Sequence, residues 1–271
     1  MLVLTAALLA APQAALASTL ERIKESGVVR IGYRADARPY SYQDRGRPAG
    51  FIVDLCAEVA KALGPGIRAE YMVVSAAERF EAVRDRRIDI LCDPSSVTLA
   101  RREMVDFSLP TFLDGASALS RTSKPVRKFE DMAGKRIGVL AGTTTENTLR
   151  ESLANLSLDA TIVPVSDHRA GMDLVWKDQI DTYFADRAII AAMIGDGGRP
   201  GFTLSRQYFS YETYALAVPR DDGAFRLVVD RTLARLYRSG RINVLLTKTF
   251  GKTPLDDLLK AMFAINALPD K

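Results

Sequence analysis

Apolar and polar positions along the chain predict short apolar strands that alternate with amphipathic helices. The first apolar run, "VVRIGY", is rich in β-branched residues, and the helical run after it stops at Gly64 and Pro65. The predicted elements of this first unit are a strand at 28–33, a helix at 51–63, a strand at 68–74, a helix at 77–83 and a strand at 88–91. This βαβ order predicts a mostly parallel sheet covered by helices.

The alternation restarts after a polar segment at 120–135, which indicates a second α/β unit. Its predicted elements are strands at 136–140, 160–165 and 180–185 and helices at 143–155, 168–177 and 187–194. An extended run at 211–219 would return the chain to the first unit, and the tail predicts two further helices. Two α/β lobes joined by two crossing strands would leave a cleft between them.

Polar segments follow four of the predicted strands. They are "CDPSS" at 92–96, "AGTTTE" at 141–146, "VSDH" at 165–168 and "FADR" at 184–187. Ligands of open α/β folds bind at the carboxyl ends of strands, so we expect these segments to converge on one ligand site.

The stretch "CDPSSVTLAR" combines a strand end with a helix entrance. Pro94 should end the strand because it lacks an N–H, and Ser95, Ser96 and Thr98 are residue types that cap helices. A capped surface helix with a solvated Arg101 is one interpretation. An anion site at a helix N-terminus is the other.

Charge and composition exclude several other classes of function. The 271 residues carry 37 basic and 33 acidic side chains, for a net charge of +4, without a long basic run. Nucleic-acid binding is therefore disfavoured. One histidine and two separated cysteines form no ligand cluster, so we predict neither a metal nor another cofactor.

Residues 1–17 are apolar, carry no charged side chain and end in "ALA". This pattern predicts an export signal cleaved near Ala17 and a periplasmic mature protein. A membrane-spanning helix is the rival interpretation, but Pro12 and Gln13 interrupt the run, which falls short of about 20 residues.

The two cysteines, Cys56 and Cys92, are both in apolar surroundings along the chain. An even pair in an exported protein favours a disulfide, whereas two free buried cysteines are the alternative.

The order and spacing of several motifs resemble a known family from about Ser18 to Phe250. The motifs are "STLERIKESGVVRIGYR", "PYSYQDRGRPAGFIVDLCAEVAKAL", "RIDILC" with "LARREMVDFSLPTF", "LAGTTTENTL", "PVSDH" and "YFADRAI". They resemble amino-acid-binding receptors of ABC importers, solute-binding protein family 3, with a pattern like that of the glutamate/aspartate-binding members. The resemblance implies a type II periplasmic-binding fold, with lobe 1 at 18–118 and 214–271 and lobe 2 at 119–213.

The resemblance also assigns a site for the α-amino and α-carboxyl groups of a ligand. Arg101 matches the arginine that binds the carboxylate, and Thr143 matches a position that adds donors to it. Asp186 matches the acid that receives the ammonium, and Ser96 matches a nearby hydroxyl. Pro94 stands where the family usually has serine, so only its carbonyl could bind the amino group.

The resemblance also implies which residues contact the ligand's side chain. Arg34 and Arg79 match positions that face a distal carboxylate, and His168 matches a polar contact from the second lobe. Two arginines favour an acidic side chain because unpaired buried charge is costly. Glu78, however, is next to Arg79 and could neutralise it, in which case another ligand becomes plausible.

These observations predict a monomeric, non-catalytic binding protein that closes on glutamate or aspartate and delivers it to an ABC permease. One alternative is an enzyme of the cyclohexadienyl dehydratase type, for which His168 or Glu78 would have to act as acid or base. The other is a sensory ligand-binding module.

Overall fold

The computed structural model of the protein describes residues 18–195, 197–252 and 256–271. The predicted export signal at 1–17 lies outside these residues. None of the helices in the described ranges has the length and apolar character to cross a membrane.

The strands form two five-stranded sheets and one small three-stranded sheet. In chain order they are β1 (Val28–Tyr33), β2 (Asp36–Ala37), β3 (Ser41–Asp44), β4 (Arg47–Ala49), β5 (Arg68–Val73), β6 (Ile90–Cys92), β7 (Val105–Asp114), β8 (Ala116–Arg121), β9 (Arg136–Leu140), β10 (Thr161–Val165), β11 (Thr182–Asp186), β12 (Phe202–Leu204) and β13 (Glu212–Pro219).

The α-helices cover the faces of the two large sheets. They are α1 (Thr19–Ser26), α2 (Phe51–Ala62), α3 (Arg79–Arg84), α4 (Leu99–Arg102), α5 (Thr144–Asn155), α6 (His168–Trp176), α7 (Arg187–Ile194), α8 (Gly223–Arg238), α9 (Arg241–Phe250) and α10 (Asp257–Ile265). A 3₁₀ turn, Phe129–Met132, precedes β9.

The first large sheet has the strand order β5-β1-β6-β13-β7 and the second has the order β10-β9-β11-β8-β12. In each sheet three successive strands are parallel, as the alternating pattern predicts, while the strands next to the crossings pair antiparallel. We call the first sheet with α1–α4 and α8–α10 the first lobe, and the second sheet with α5–α7 the second lobe. The predicted two-lobed α/β fold is confirmed.

The chain crosses between the lobes at two adjacent places. The first crossing is at Gly115, between β7 and β8, and the second lies between β12 and β13. A Cβ atom on Gly115 would collide with the carbonyl oxygen of Ser210, so glycine is required where the two crossings touch. The predicted lobe boundaries, 118/119 and 213/214, fall inside β8 and β13.

The core of the first lobe lies between its sheet and α2, α8, α9 and α10, where Ile31, Phe51 and Phe225 are fully buried. Cys56 on α2 and Cys92 at the end of β6 are joined by a disulfide, with their Cα atoms 6.3 Å apart. The predicted disulfide is confirmed, and it ties α2 to the strand that leads into the "CDPSS" segment.

Several parts of the fold escaped the sequence patterns, α1 and β12 among them. The small sheet of β2, β3 and β4 consists of strands of two to four residues, which are too short to show a two-residue alternation. The tail carries a third helix, α10, in addition to the two that were predicted.

Candidate functional site

A narrow cleft, with a cavity volume of about 20 Å³, lies between the lobes at the carboxyl ends of the parallel strands. Its lining includes seven of the eight predicted ligand residues, namely Arg34, Arg79, Pro94, Ser96, Thr143, His168 and Asp186. The eighth, Arg101, is outside this lining but contacts it through Ser96.

The segment after β6 enters the cleft because β6 ends at Cys92 and Pro94 follows. Thr98 is the N-cap of α4, since its Oγ1 accepts a hydrogen bond from the backbone N–H of Arg101 over 3.1 Å. Ser96 does not cap this helix; its backbone instead forms a bridge to Tyr214 of β13. The side chain of Ser96 is therefore held at the cleft.

Arg101 is half-buried rather than fully solvated. Its Nη1 donates to the carbonyl oxygen of Ser96 over 2.7 Å, and its guanidinium carbon is 4.7 Å from the ring centroid of Phe80. Burial lowers the pKa of Arg101, while the charge of Asp93 opposes that shift. The guanidinium remains a cation at neutral pH beside the cleft.

Arg34 is paired with an acid that the sequence analysis did not single out. Its Nε and Nη2 are 2.9 Å and 2.6 Å from Oδ1 of Asp36, and the side chain is 5 % exposed. Oδ2 of Asp36 accepts the backbone N–H of His168 over 3.1 Å. Asp36 thus joins an arginine of the first lobe to the start of α6 in the second.

His168 is buried, and its Nδ1 is 2.9 Å from the hydroxyl oxygen of Tyr183. Burial, with the nearby charge of Arg34, lowers the pKa of His168 to about 4. The imidazole is therefore uncharged at neutral pH and adds only hydrogen-bonding capacity to the cleft.

Arg79 is also paired, and its partner is Asp93. Its Nε is 3.2 Å from Oδ2 of Asp93 and 3.3 Å from Oγ of Ser95, and the side chains of Arg79 and Asp93 are 3 % and 1 % exposed. Burial lowers the pKa of Arg79 to about 10, although Asp93 counteracts the shift.

The pairing of Glu78 with Arg79 that the sequence suggested is not formed. Arg79 opens α3 and its side chain turns inward, whereas the side chain of Glu78 is 50 % exposed and is 3.8 Å from Arg87. Neighbours at the start of a helix face different directions, which is why adjacency in sequence was misleading.

The second lobe contributes the N-terminus of α5. Thr143 is its N-cap, because Oγ1 accepts the backbone N–H of Glu146 over 3.1 Å and donates to the carbonyl oxygen of Leu140 over 2.7 Å. Thr145 donates from Oγ1 to Oδ1 of Asp186 over 2.9 Å. These hydroxyls and free N–H groups suit an anionic ligand group.

Asp186 ends β11 and precedes α7, but its side chain makes no capping hydrogen bond to that helix. Burial raises the pKa of Asp186 to about 7, and the negative charges of Glu212 and Asp114 add to the effect. An arriving ammonium group would reverse this shift by pairing with the ionised carboxylate.

Glu212, at the start of β13, joins the lobes through hydroxyl groups. Its Oε2 accepts from Oγ1 of Thr144 over 2.6 Å and from Oγ of Ser96, and these two hydroxyl oxygens are 3.0 Å apart. Its Oε1 accepts from Oγ of Ser210 over 3.1 Å. Glu212 was not among the predicted site residues; in the sequence it is marked only as an acid at the start of the predicted return strand.

The site therefore offers a cation and a helix N-terminus for a carboxylate, a half-buried acid for an ammonium group, and two arginines paired with aspartates beside them. Across residues 18–195, 197–252 and 256–271, His, Cys, Asp and Glu side chains form no group of three or more that could hold a metal ion.

Comparison with known proteins agrees with this geometry. The model of the bacterial extracellular solute-binding proteins, family 3, matches residues 29–252. The chain is 30 % identical over 257 residues to the L-glutamate/L-aspartate-binding protein of Pseudomonas aeruginosa, covering 91 % of this chain and 85 % of that protein.

Two further relatives mark the range of functions on this scaffold. The cyclohexadienyl dehydratase of Pseudomonas aeruginosa is 30 % identical over 233 residues, covering 82 % of each chain. The crystal structure of a solute receptor for L-cysteine from Neisseria gonorrhoeae superposes with a TM-score of 0.78 at 25 % identity, covering 86 % of this chain and 93 % of that one.

Proposed function

Because this chain belongs to the bacterial extracellular solute-binding proteins, family 3, we propose that it captures an acidic amino acid by lobe closure and delivers it to an ABC permease. The observation that carries the proposal is the placement of opposite charges around one cleft. Arg101 lies beside Ser96 of the first lobe, and Asp186 faces the same cleft from the second. A zwitterion that contacts both lobes favours the closed state.

Glutamate or aspartate is the proposed ligand. Arg34, Arg79 and His168 line the same cleft as Thr143 and Asp186, and N–H donors suit a side-chain carboxylate. The glutamate/aspartate-binding relative at 30 % identity supports this choice.

Calorimetric titration with the common amino acids tests the proposal on protein freed of bound ligand by unfolding and refolding. We expect saturable binding of glutamate or aspartate, together with a rise in melting temperature that grows with ligand concentration. Failure to bind any amino acid would refute it.

Export and delivery form the second part of the proposal. The mature protein begins after Ala17, is periplasmic and acts as a monomer. Its test is reconstitution with a candidate permease and ATPase in vesicles, where the ligand-loaded protein should stimulate ATP hydrolysis and the ligand-free protein should not.

A dehydratase is the second candidate, and two observations favour it. One relative at 30 % identity is a cyclohexadienyl dehydratase, and the raised pKa of Asp186 keeps a proton on a carboxyl group that faces the cleft. Of the two residues named from sequence, Glu78 is exposed outside the cleft lining and His168 is held against Tyr183. Incubation with arogenate and prephenate decides the matter: release of phenylalanine or phenylpyruvate would establish the enzyme.

A further inference from the structure

We propose that Asp36 and Asp93 determine side-chain specificity by offsetting the charges of Arg34 and Arg79, so that the site binds amide amino acids as well as acidic ones. The inference rests on the proposed function and extends its substrate class to glutamine and asparagine. Both acids act through the arginines, because neither belongs to the cleft lining formed by the described residues.

In the first pair, Asp36 offsets the charge of Arg34 but leaves some of its N–H donors available. Oδ1 of Asp36 accepts both Nε and Nη2 of Arg34, and Oδ2 accepts the backbone N–H of His168. A guanidinium carries five N–H donors, so Nη1 of Arg34 retains donors for a ligand. These donors serve the oxygen of an amide as well as that of a carboxylate.

The second pair is buried more deeply. Oδ2 of Asp93 is 3.2 Å from Nε of Arg79, and its Oδ1 accepts a hydrogen bond from the hydroxyl of Ser95. Because both side chains are almost fully buried, solvent screens their interaction poorly.

The charges of this part of the cleft sum to zero. Two arginines face two aspartates, and the imidazole of His168 is uncharged because its pKa lies near 4. A site with two unpaired arginines would reject an amide strongly, since the arginines would then remain buried without a counter-charge. With the aspartates in place, that reason for rejecting an amide is removed.

Calorimetric dissociation constants for L-glutamate and L-glutamine test the proposal on the wild-type protein and on Asp36→Asn and Asp93→Asn. Asparagine keeps the size of the side chain and one accepting oxygen but removes the charge. We expect the wild-type protein to bind both ligands. In each variant the preference for glutamate over glutamine should rise by about tenfold or more, because the arginine left without its counter-charge would attract the carboxylate and not the amide.

Asp89→Asn is the matched control. Asp89 is a buried acid of the first lobe, with its side chain 3 % exposed and its Oδ1 3.0 Å from Arg30, and it does not line the cleft. This variant should lose stability and keep the wild-type ratio of the two dissociation constants. The ratio of the two dissociation constants distinguishes a change of specificity from a loss of structure, because a purely structural loss weakens the binding of both ligands equally.

The titrations with glutamate and glutamine can overturn either the specificity inference or the proposed function. A wild-type protein that binds glutamate but not glutamine overturns the inference, as does a rise of less than about tenfold in the folded variants. If Asp93→Asn does not fold, Asp36→Asn decides alone, since its carboxylate is 21 % exposed. Binding of neither ligand and of no other amino acid would instead refute the proposed function.

Discussion

The hydroxyl oxygens of Ser96 and Thr144 lie 3.0 Å apart although they belong to opposite lobes, and both donate to the carboxylate of Glu212. Asp36 and the backbone of His168 form a second contact between the lobes. The hydrogen bonds from Thr144 to Glu212 and from His168 to Asp36 join the two lobes, so we expect the energy of closure to depend on them.

Thr144→Val should therefore weaken the binding of every amino-acid ligand to a similar degree. The change removes one hydrogen bond to a charged group, which contributes about 1.5–3 kcal/mol, and most of the effect should be a faster dissociation rate. Stopped-flow fluorescence measures that rate.

Thr148→Val is the control for this prediction, because Thr148 lies one turn further along α5 and is also partly buried. It should leave the dissociation rate unchanged. A loss in Thr144→Val that depends on the ligand's side chain would contradict the closure role.

Replacing Arg101 with alanine should cost about 2–5 kcal/mol of ligand binding, because the ligand carboxylate would lose its charged partner in a half-buried site. The melting temperature of the ligand-free protein should change little, since within the described residues the guanidinium makes one hydrogen bond, to the carbonyl of Ser96, and one contact with the ring of Phe80.

Arg102→Ala is the matched control for Arg101, being the next residue of α4 with an exposed side chain. Equal affinities in the two variants would return Arg101 to the role of a surface arginine.

Ligand affinity should rise as the pH increases from about 5 to about 8 and then level off. The pKa of Asp186 is near 7 in the ligand-free protein, so below that value the carboxyl must lose its proton before it can pair with an ammonium group. Titrations in buffers of different ionisation enthalpy should show protons released on binding. Asp186→Asn should bind weakly and without this pH dependence.

The raised pKa of Asp186 should also affect the stability of the fold. The pKa of Asp186 is near its usual 3.8 in the unfolded chain and near 7 in the folded protein. Between about pH 4 and 7 the native state therefore binds more protons than the unfolded state, so the contribution of Asp186 to the free energy of unfolding falls as the pH rises. Asp186→Asn should therefore gain stability relative to the wild type over that range, as measured by urea unfolding. A constant difference between the two proteins would show that the pKa is not raised.

Replacing Cys56 and Cys92 together with alanine should lower the free energy of unfolding by about 3–4 kcal/mol, as expected from loop entropy alone. The bond spans a sequence separation of 36, and both cysteines are fully buried. Urea unfolding with and without reductant measures the loss, and a reductant should act on the wild-type protein only after it unfolds.

The alternation of apolar strands and amphipathic helices determined most of the secondary structure. The strand at 28–33 and the helix starting at Phe51 were predicted closely because each is marked by its own run of apolar residues, a property of local sequence. The position of the polar segments after the strands predicted the cleft, since the carboxyl ends of parallel strands meet at one edge.

Only the tertiary structure decided which charges are paired. Arg79 is next to Glu78 in sequence, yet it pairs with Asp93, because α3 turns the side chain of Arg79 inward toward the end of β6. Asp36 and Glu212 join the cleft through contacts with distant segments. Sequence determines local periodicity, whereas the net charge of a binding site depends on side-chain directions that exist only after distant elements have packed together.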